Sequence, residues 1–460
     1  MKKIIVFGTG ITYYQYQNVL KKHEIVMFID NNKEKQGTWL DKRRIWEVDK
    51  ILDTSFDFVV IVAEQWQEMR KQLLALGIKQ EKIIYYEELG KLEEEEEIVF
   101  YGKKPSQEED KSIIIFTNRL ENSGAELAVF VMAKMMKKLG YDVCIAACYD
   151  GSLRDDIVKS GIRVAISLKY GYWNNSVSEL VKNYHVVWVN TLIRYELVYR
   201  LQNLNKRIIW WLHEPENVYK QVEVEVINRI DSENIEIYAV SEYAKKVFKQ
   251  HISNKKIDIF TLSIEDRRKE VKEKREEDKK ITFAVVARIC KLKNQGLVLE
   301  AMKLMDEMEY KKFNVLFIGG GANLSCENML LKETKEMKNV RFLGEMTQDD
   351  INEMYNDSKI DVLICPSLEE TLSISTVEAL MYGKPAIVSD NTGIASHITD
   401  YKEGFVVKNN NAVDLKEKIQ WFLRNEDKLE QMGKEARQKY ENDFSMDKLT
   451  DSVVKLRLFV

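Results

Sequence analysis

Residues Cys365 to Asp390 read CPSLEETLSISTVEALMYGKPAIVSD. The apolar run DVLIC that leads into them has strand character and ends at Pro366-Ser367. A polar loop follows, then an apolar helical pattern that stops at Gly383 and Pro385, then a second strand, PAIVSD. Strand, loop, helix and strand make one α/β unit. A helix starting near Ser373 holds Glu378 inside it and leaves Glu370 in the loop just before it. Both carboxylates then face the crevice at the carboxyl ends of the strands, where open α/β sheets bind ligands. The N–H groups of Thr371, Leu372 and Ser373 fall at the helix start, a position that favours a diphosphate.

The same alternation runs outward in both directions. KIIVFG, VMFID, FDFVVIVA, SIIIF, DVCIAA, VVWVN, IIWWLH, IYAVS, TFAVVA and VLFIG are short β-branched runs, each followed by an amphipathic stretch. Continuous apolar strands alternating with helices mean parallel sheets covered on both faces, so the class is α/β. Only four prolines occur in 460 residues, which fits a chain of regular elements. That length exceeds one hydrophobic core and predicts about three domains.

Charge runs mark the joints. Residues 91–111 (KLEEEEEIVFYGKKPSQEEDK) and 265–280 (EDRRKEVKEKREEDKK) carry almost nothing that can be buried. The expected domains are therefore 1–90, an acidic linker 91–110, 111–265, a charged connector 266–280, 281–440 and a helical tail 441–460. If residues 1–90 only dock or scaffold, a chain starting near Lys111 should fold by itself.

Composition excludes several classes. Hydrophobic residues are 45% and charged residues 31%, the balance of an ordinary globular protein. With 70 basic and 74 acidic side chains the net charge is -4, so the whole molecule has no attraction to nucleic acid. No apolar run approaches the roughly 18–20 residues of a membrane span. Five cysteines without CxxC spacing argue against disulfides and structural zinc, and point to a reducing, cytoplasmic setting.

Two carboxylates and a helix terminus suit a nucleotide sugar, whose hydroxyls need acceptors and whose phosphates need donors. The E-x7-E spacing of Glu370 and Glu378, the preceding Pro-Ser and the following EALMYGKPAIVSD resemble the retaining, GT-B fold glycosyltransferases of the large family four group. VARICKLKNQGLVLEAM, IGGGANL, NVRFLGEMT and EGFVV follow that family's order and spacing. The resemblance runs from residue 111 almost to the end. It implies two Rossmann-like domains facing across a cleft, preceded here by a smaller Rossmann-like domain. It also implies that Arg288 and Lys293 grip the donor diphosphate, that Glu378 accepts from the ribose hydroxyls, and that Glu370 contacts the transferred sugar. A guanidinium and an ammonium suit that task, because negative charge develops on the leaving phosphate. Glu370-Thr371-Leu372-Ser373 departs from the family's E-G-F-G, which leaves the identity of the sugar open.

The middle segment opens with a strand, a loop holding Ser123-Gly124-Ala125-Glu126, and a helix. A small-residue loop lets backbone approach a phosphate or sugar. It resembles the family's GGxE loop, with Ser123 in place of the first glycine. His213 closes the strand IIWWLH, and the resemblance places it near the transferred sugar. His23, His185, His251 and His397 carry no such case. Ser241 is expected to cap the helix that starts in AVSEYAKKVFKQ.

Residues 1–90 carry Gly8-Thr9-Gly10 after a strand and Asp30 at the end of the next, a partial dinucleotide-binding fingerprint. Tyr13 replaces the third glycine and is expected to crowd helix against sheet and pyrophosphate. A scaffold role, or contact with a partner protein or the inner face of a membrane, is the alternative for this segment.

No DxD pair stands in a metal-binding setting and no His/Cys cluster has metal spacing, so no cofactor is expected beyond the nucleotide-sugar substrate. The expected acceptor is a glycan, a lipid-linked or a protein-linked group, and nucleic acid is not a partner. The rival to an enzyme is an inactive relative that positions a catalytic partner. Retention of Glu370, Glu378, Arg288, Lys293 and His213 together argues against it. An oxidoreductase led by the first segment is disfavoured by Tyr13.

Overall fold

The computed structural model describes residues 1–63, 65–92, 98–102, 111–121, 123–230, 233–269, 279–320 and 324–458. Three sheets are present among them. The first orders its strands Trp39–Leu40, Arg43–Trp46, Glu24–Ile29, Lys3–Phe7, Phe58–Ile61 and Ile83–Tyr85. The second runs Asp258–Ile259, Ile235–Ala239, Arg207–Leu212, Val186–Asn190, Ser112–Arg119, Asp142–Tyr149, Arg163–Ile166 and Val99–Tyr101. The third runs Val340–Gly344, Asn314–Ile318, Thr282–Val286, Val362–Cys365, Ala386–Ser389 and Gly404–Val407, with every pairing parallel.

All three sheets share one topology. Apart from the edge strand Val99–Tyr101, which comes before the central strand of the second sheet, each starts at a central strand, works to one edge, and returns to the other side of that strand. The reversal falls between Lys3–Phe7 and Phe58–Ile61, between Ser112–Arg119 and Val186–Asn190, and between Thr282–Val286 and Val362–Cys365. Crossovers leave for opposite faces at such a point and open a crevice beyond the strand ends. The residues singled out in the sequence follow these innermost strands. Gly8 comes directly after Phe7, Ser123 after Arg119, Arg288 after Val286, and Glu370 after Cys365.

The sequence explains why the sheets are interior. RIIWWL and VVWVN are buried almost throughout, as expected for strands covered on both faces. Trp188 and Trp211 meet edge-to-face at 5.8 Å. In the third sheet Phe283, Phe313, Phe405 and Phe422 form the core with Val298 and Met302.

The chain divides into two compact units. One takes Met1–Val129 and Met136–Ile237, the other Tyr238–Val460 with Phe130–Met135. The first therefore joins the first sheet to most of the second. A buried ion pair runs between them, from Arg194 Nη2 to Glu87 Oε2 at 3.2 Å, with side chains only 1% and 3% exposed. Asn118 Oδ1, Gly171 O and Cys148 Sγ accept further bonds from the same guanidinium. Trp66 Nε1 donates to Gln221 O, and Arg70 pairs with Glu223.

One stretch differs from its sequence reading. Val99–Tyr101, expected within a linker, is an edge strand antiparallel to Arg163–Ile166. Its β-branched and aromatic residues interrupt the charge run, and an edge needs only one paired side. The rest of that linker (93–97 and 103–110) and connector residues 270–278 lie outside the described residues. The tail breaks between helices Leu429–Asp443 and Met446–Lys455, at Phe444 and the capping Ser445.

Candidate active site

The helix after strand Val362–Cys365 is Ile374–Met381, and Ser373 is its N-cap, accepting from the Thr376 N–H. Such a cap stabilises by about 1 kcal/mol. Gly383, at φ +67°, ends the helix in the left-handed conformation, and its N–H bonds Leu380 O. Glu370 thus sits in the loop and Glu378 in the helix, as the spacing required.

Glu370 is held by both oxygens. Oε1 lies 2.6 Å from Lys293 Nζ, and Oε2 accepts from Ser367 Oγ at 2.9 Å. The buried Cys365 thiol, its pKa pushed up by burial, points at Oε2 from 3.6 Å. Lys293 stands at the end of the short turn Lys291–Lys293, whose neighbour Leu292 accepts from the Leu368 N–H through its carbonyl. The cation-bearing turn and the glutamate-bearing loop are therefore tied through backbone.

Further bonds fix that loop. Gly393 N donates to Glu370 O, and Asn391 Nδ2 to Leu368 O. A Cβ on Gly393 would lie 1.8 Å from Thr371 O, so only glycine allows this approach. Ser241 caps helix Glu242–His251 as expected, and its hydroxyl also donates to Thr371 O. Tyr243 Oη donates to Glu369 Oε1 at 3.0 Å. Among the described residues no protein acceptor takes the N–H groups of Thr371, Leu372 or Ser373. They remain available at the helix start. Arg288 is exposed and has no carboxylate partner among the described residues; its carbonyl accepts from Gln295 Nε2.

Glu378 is only 6% exposed, and burial raises its pKa against the lowering pull of Arg267. Arg267 Nη2 donates to Glu378 Oε1 at 2.6 Å. The sequence reading missed Arg267 because it stands in a run of surface charge. It also missed Ser367 and Cys365, for which a strand end next to the first glutamate was the only signal.

In the other unit, helix Gly124–Lys138 begins at the expected loop, and Ser123 O accepts from Leu127 N. Ser123 Oγ donates to Glu126, whose pKa burial raises. Ser123 and Gly124 are exposed, Ala125 is half-buried, and Asn122 lies outside the described residues. His213 follows strand Arg207–Leu212 with its ring 4.2 Å from that of Trp211. Its Nε2 is buried without a partner among the described residues, and burial pushes its pKa down to about 3. The imidazole is therefore neutral. Glu214 takes the His213 N–H at 2.8 Å, and burial raises its own pKa. His185 bonds Ser112 and His397 bonds Asp443, both structural contacts.

In the first sheet, a Cβ on Gly8 (φ +104°) would meet Val62 O at 2.7 Å, so this glycine serves the close passage of two backbones. Asp30 accepts from Thr9 N and Oγ1 and from Asn32 N, which closes the loop on itself. Burial raises its pKa, but those bonds and Lys35 together hold it below the usual range. Gly10 caps the helix without a side chain. Tyr13, expected to crowd helix against sheet, stands in helix Ile11–Leu20 and packs against the sheet. It is fully buried, edge-on to Phe28 at 5.2 Å, with its phenol on Asp41.

Among the described residues no three His, Cys, Asp or Glu side chains gather as a metal-ion site. No described helix is long and apolar enough to cross a membrane.

Comparison with known proteins agrees with the fold. Glycosyl transferases group 1 matches residues 266–439, Glycosyl-transferase family 4 matches 109–277, and the C2185-like N-terminal family matches 1–84. Residues 109–439 thus match two glycosyltransferase family models laid end to end, and the fold is GT-B. It is 28% identical, over 48% of its length, to the N,N'-diacetylbacillosaminyl-diphospho-undecaprenol alpha-1,3-N-acetylgalactosaminyltransferase of Campylobacter jejuni, of which 54% is covered. The D-rhamnosyltransferase WbpZ of Pseudomonas aeruginosa is 27% identical over 31% of this chain and 37% of its own. The chain thus spans about half, or less, of the curated relatives it matches. Anabaena HepE in complex with UDP has the same fold, at a TM-score of 0.62 and 15% identity over 75% of this chain and 99% of that one.

Proposed function

We propose that this protein transfers a sugar from a nucleotide-sugar donor, a UDP-sugar, to a glycan, lipid-linked or protein-linked acceptor with retention of anomeric configuration. The observation that carries the reading is the Lys293–Glu370 pair at 2.6 Å beside the uncommitted N–H groups of Thr371–Ser373. A diphosphate beside Lys293 and exposed Arg288 meets cations and a helix start, and Glu370 is within reach of a sugar on that diphosphate. Glu378 accepts from the ribose. His213, neutral at physiological pH, is assigned to the transferred sugar.

Lys293, Arg288 and the helix N-terminus stabilise the leaving diphosphate without a metal ion. The acceptor hydroxyl attacks the anomeric carbon from the face the diphosphate leaves. The carbon–phosphate-oxygen bond breaks with its electron pair on the diphosphate, which takes the acceptor's proton. The setting is assembly of a cell-surface polysaccharide or glycoprotein at the cytoplasmic side of a membrane. The C. jejuni relative, named for a diphospho-undecaprenol substrate, supports a lipid-linked acceptor. Ser123, Gly124 and Ala125 are assigned to the acceptor side, and residues 1–90 to scaffolding or partner docking.

The test is a panel of nucleotide sugars, with and without candidate acceptors, read by release of nucleotide and by NMR of the product anomer. Donor turnover with the donor's own anomeric configuration in the product is expected. An inverted product overturns the mechanism, and inactivity toward every donor overturns the enzyme reading.

A further inference from the structure

We propose that Arg267 is a positioning residue of the donor site, one that fixes the Glu378 carboxylate for the ribose hydroxyls of the nucleotide. The inference rests on the ribose role of Glu378 given above.

Arg267 is not an ordinary surface cation. Its Nη2 donates to Glu378 Oε1 at 2.6 Å, with the carboxylate side chain 8% exposed and the guanidinium 32%. Its backbone is anchored from two directions. The Arg267 N–H lies 3.4 Å from Met381 Sδ, at the end of the Glu378 helix, and Tyr382 Oη donates to Arg267 O at 3.4 Å. The preceding Asp266 is clamped by Arg437, which also donates to Met381 O at 2.7 Å. The guanidinium is therefore delivered from a fixed origin.

The chemistry of a ribose diol explains why that matters. Both hydroxyls must donate to be recognised together, so the receiving group must accept only. An ionised carboxylate accepts only, whereas a neutral carboxyl spends one oxygen as a donor. Burial favours the neutral form of Glu378, and Arg267 opposes it. The other groups facing Glu378 cannot substitute. Gln348 bonds it but carries no charge, and Tyr355 and Tyr382, stacked at 4.9 Å, are phenols held neutral by raised pKa values. With Oε1 engaged by Arg267 and the carboxylate also bonded by Gln348, its remaining lone pairs are held in a fixed orientation.

The experiment is calorimetric titration of the full chain with UDP and with its 2′,3′-dideoxy analogue, across pH, after thermal melting has confirmed folding. The variants are Arg267→Met, Arg267→Lys, Glu378→Gln and the Arg267→Met/Glu378→Gln pair. Arg267→Met should weaken UDP by about tenfold, the order of one hydrogen bond to a charged group. It should leave the dideoxy analogue unchanged and move the rise of UDP affinity with pH upward, because Glu378 then ionises later. Arg267→Lys, which keeps the charge and loses the fork, should fall between, and the double variant should be no weaker than Glu378→Gln. Equal weakening of UDP and analogue would mean that Arg267 merely shapes the fold, and overturns the inference. So does an unchanged UDP affinity in Arg267→Met beside a weakened Glu378→Gln. If Glu378→Gln itself leaves UDP unchanged, the ribose reading of Glu378 fails, and the inference fails with it for that distinct reason. Should Arg267→Met not fold, the Arg267→Lys comparison of UDP with the analogue decides on the same criteria.

Discussion

Lys293 Nζ lies 2.6 Å from Glu370 Oε1, so the cation assigned to the donor diphosphate and the carboxylate assigned to the sugar neutralise each other. A bound donor must share Lys293 between its phosphate and Glu370. This relationship makes the two side chains respond in opposite senses to free nucleotide. Glu370→Gln releases Lys293, so UDP binding should stay level or tighten, while sugar transfer falls by two orders of magnitude or so. Lys293→Ala should weaken UDP by about ten- to a hundredfold, the worth of a charge-assisted contact to phosphate. Titration of both variants against donor turnover checks the pair. Weaker UDP binding in Glu370→Gln overturns this division of the donor.

Glu87 and Arg194 bind the first sheet to the second. Their ion pair is almost wholly buried, and removal of one partner from such a pair costs about 3–5 kcal/mol. Glu87→Ala should therefore lower the melting temperature sharply, and the Glu87→Leu/Arg194→Met pair should recover most of the loss. The same contact changes the expectation for a chain starting near Lys111. That chain leaves Arg194 charged and buried without its carboxylate, so it should be insoluble or melt without cooperativity. A soluble truncation with a cooperative melt at the full-length temperature disproves the structural role given to residues 1–90.

His213 ties stability to pH. Its pKa drops from 6.5 to about 3 in the folded chain because burial disfavours the charged ring. The unfolded chain then binds a proton that the folded one refuses. Stability therefore falls as pH drops from about 6.5 toward 3, by up to about 1.4 kcal/mol per pH unit, and is fully present above that window. The nearby Glu214 works in the opposite sense, since its raised pKa removes stability as pH rises through it. Subtracting the profile of His213→Gln from that of the wild type isolates the histidine. Parallel curves between pH 3.5 and about 6.5 show a ring that protonates freely in the folded state.

How much of this was legible depends on sequence distance. Glu370, Glu378 and the Ser373 cap share one strand–loop–helix unit, so spacing alone placed them relative to the strand end. Lys293 was legible by motif, though its contact with Glu370 crosses 77 positions. Arg267 was hidden because charge runs are usually solvated, and nothing local separates one anchored arginine from its neighbours. Ser241 was recognisable as a cap, but not its bond to Thr371, 130 positions away. Glu87 and Arg194 are 107 positions apart and each looks like an ordinary surface charge. Asp30 was read, with Gly8 and Gly10, as part of a partial dinucleotide-binding fingerprint from its place at a strand end. The structure turns it inward because Thr9 offers two donors within reach.

A leaving diphosphate needs positive charge, and the donor unit offers it from the chain itself. Lys293 is held at the site by Glu370, exposed Arg288 follows the neighbouring innermost strand, and the N–H groups of Thr371–Ser373 are uncommitted. Preorganised donors of this kind act where charge develops and need no reorganisation at the moment of reaction. Transfer should therefore persist, within about a factor of two, after metal stripping and assay in EDTA, while each positive group should matter strongly. Removing one donor that stabilises developing charge typically costs about 10²–10³ in kcat, and Arg288→Ala and Lys293→Ala should each fall in that range. The arginine loss should be larger with nucleotide sugar than with free UDP, because the charge it meets grows as the sugar departs. Assays with and without EDTA on the wild type and both variants decide the matter. Activity that disappears in EDTA and returns only with magnesium or manganese would place a divalent ion where Arg288 and Lys293 are assigned.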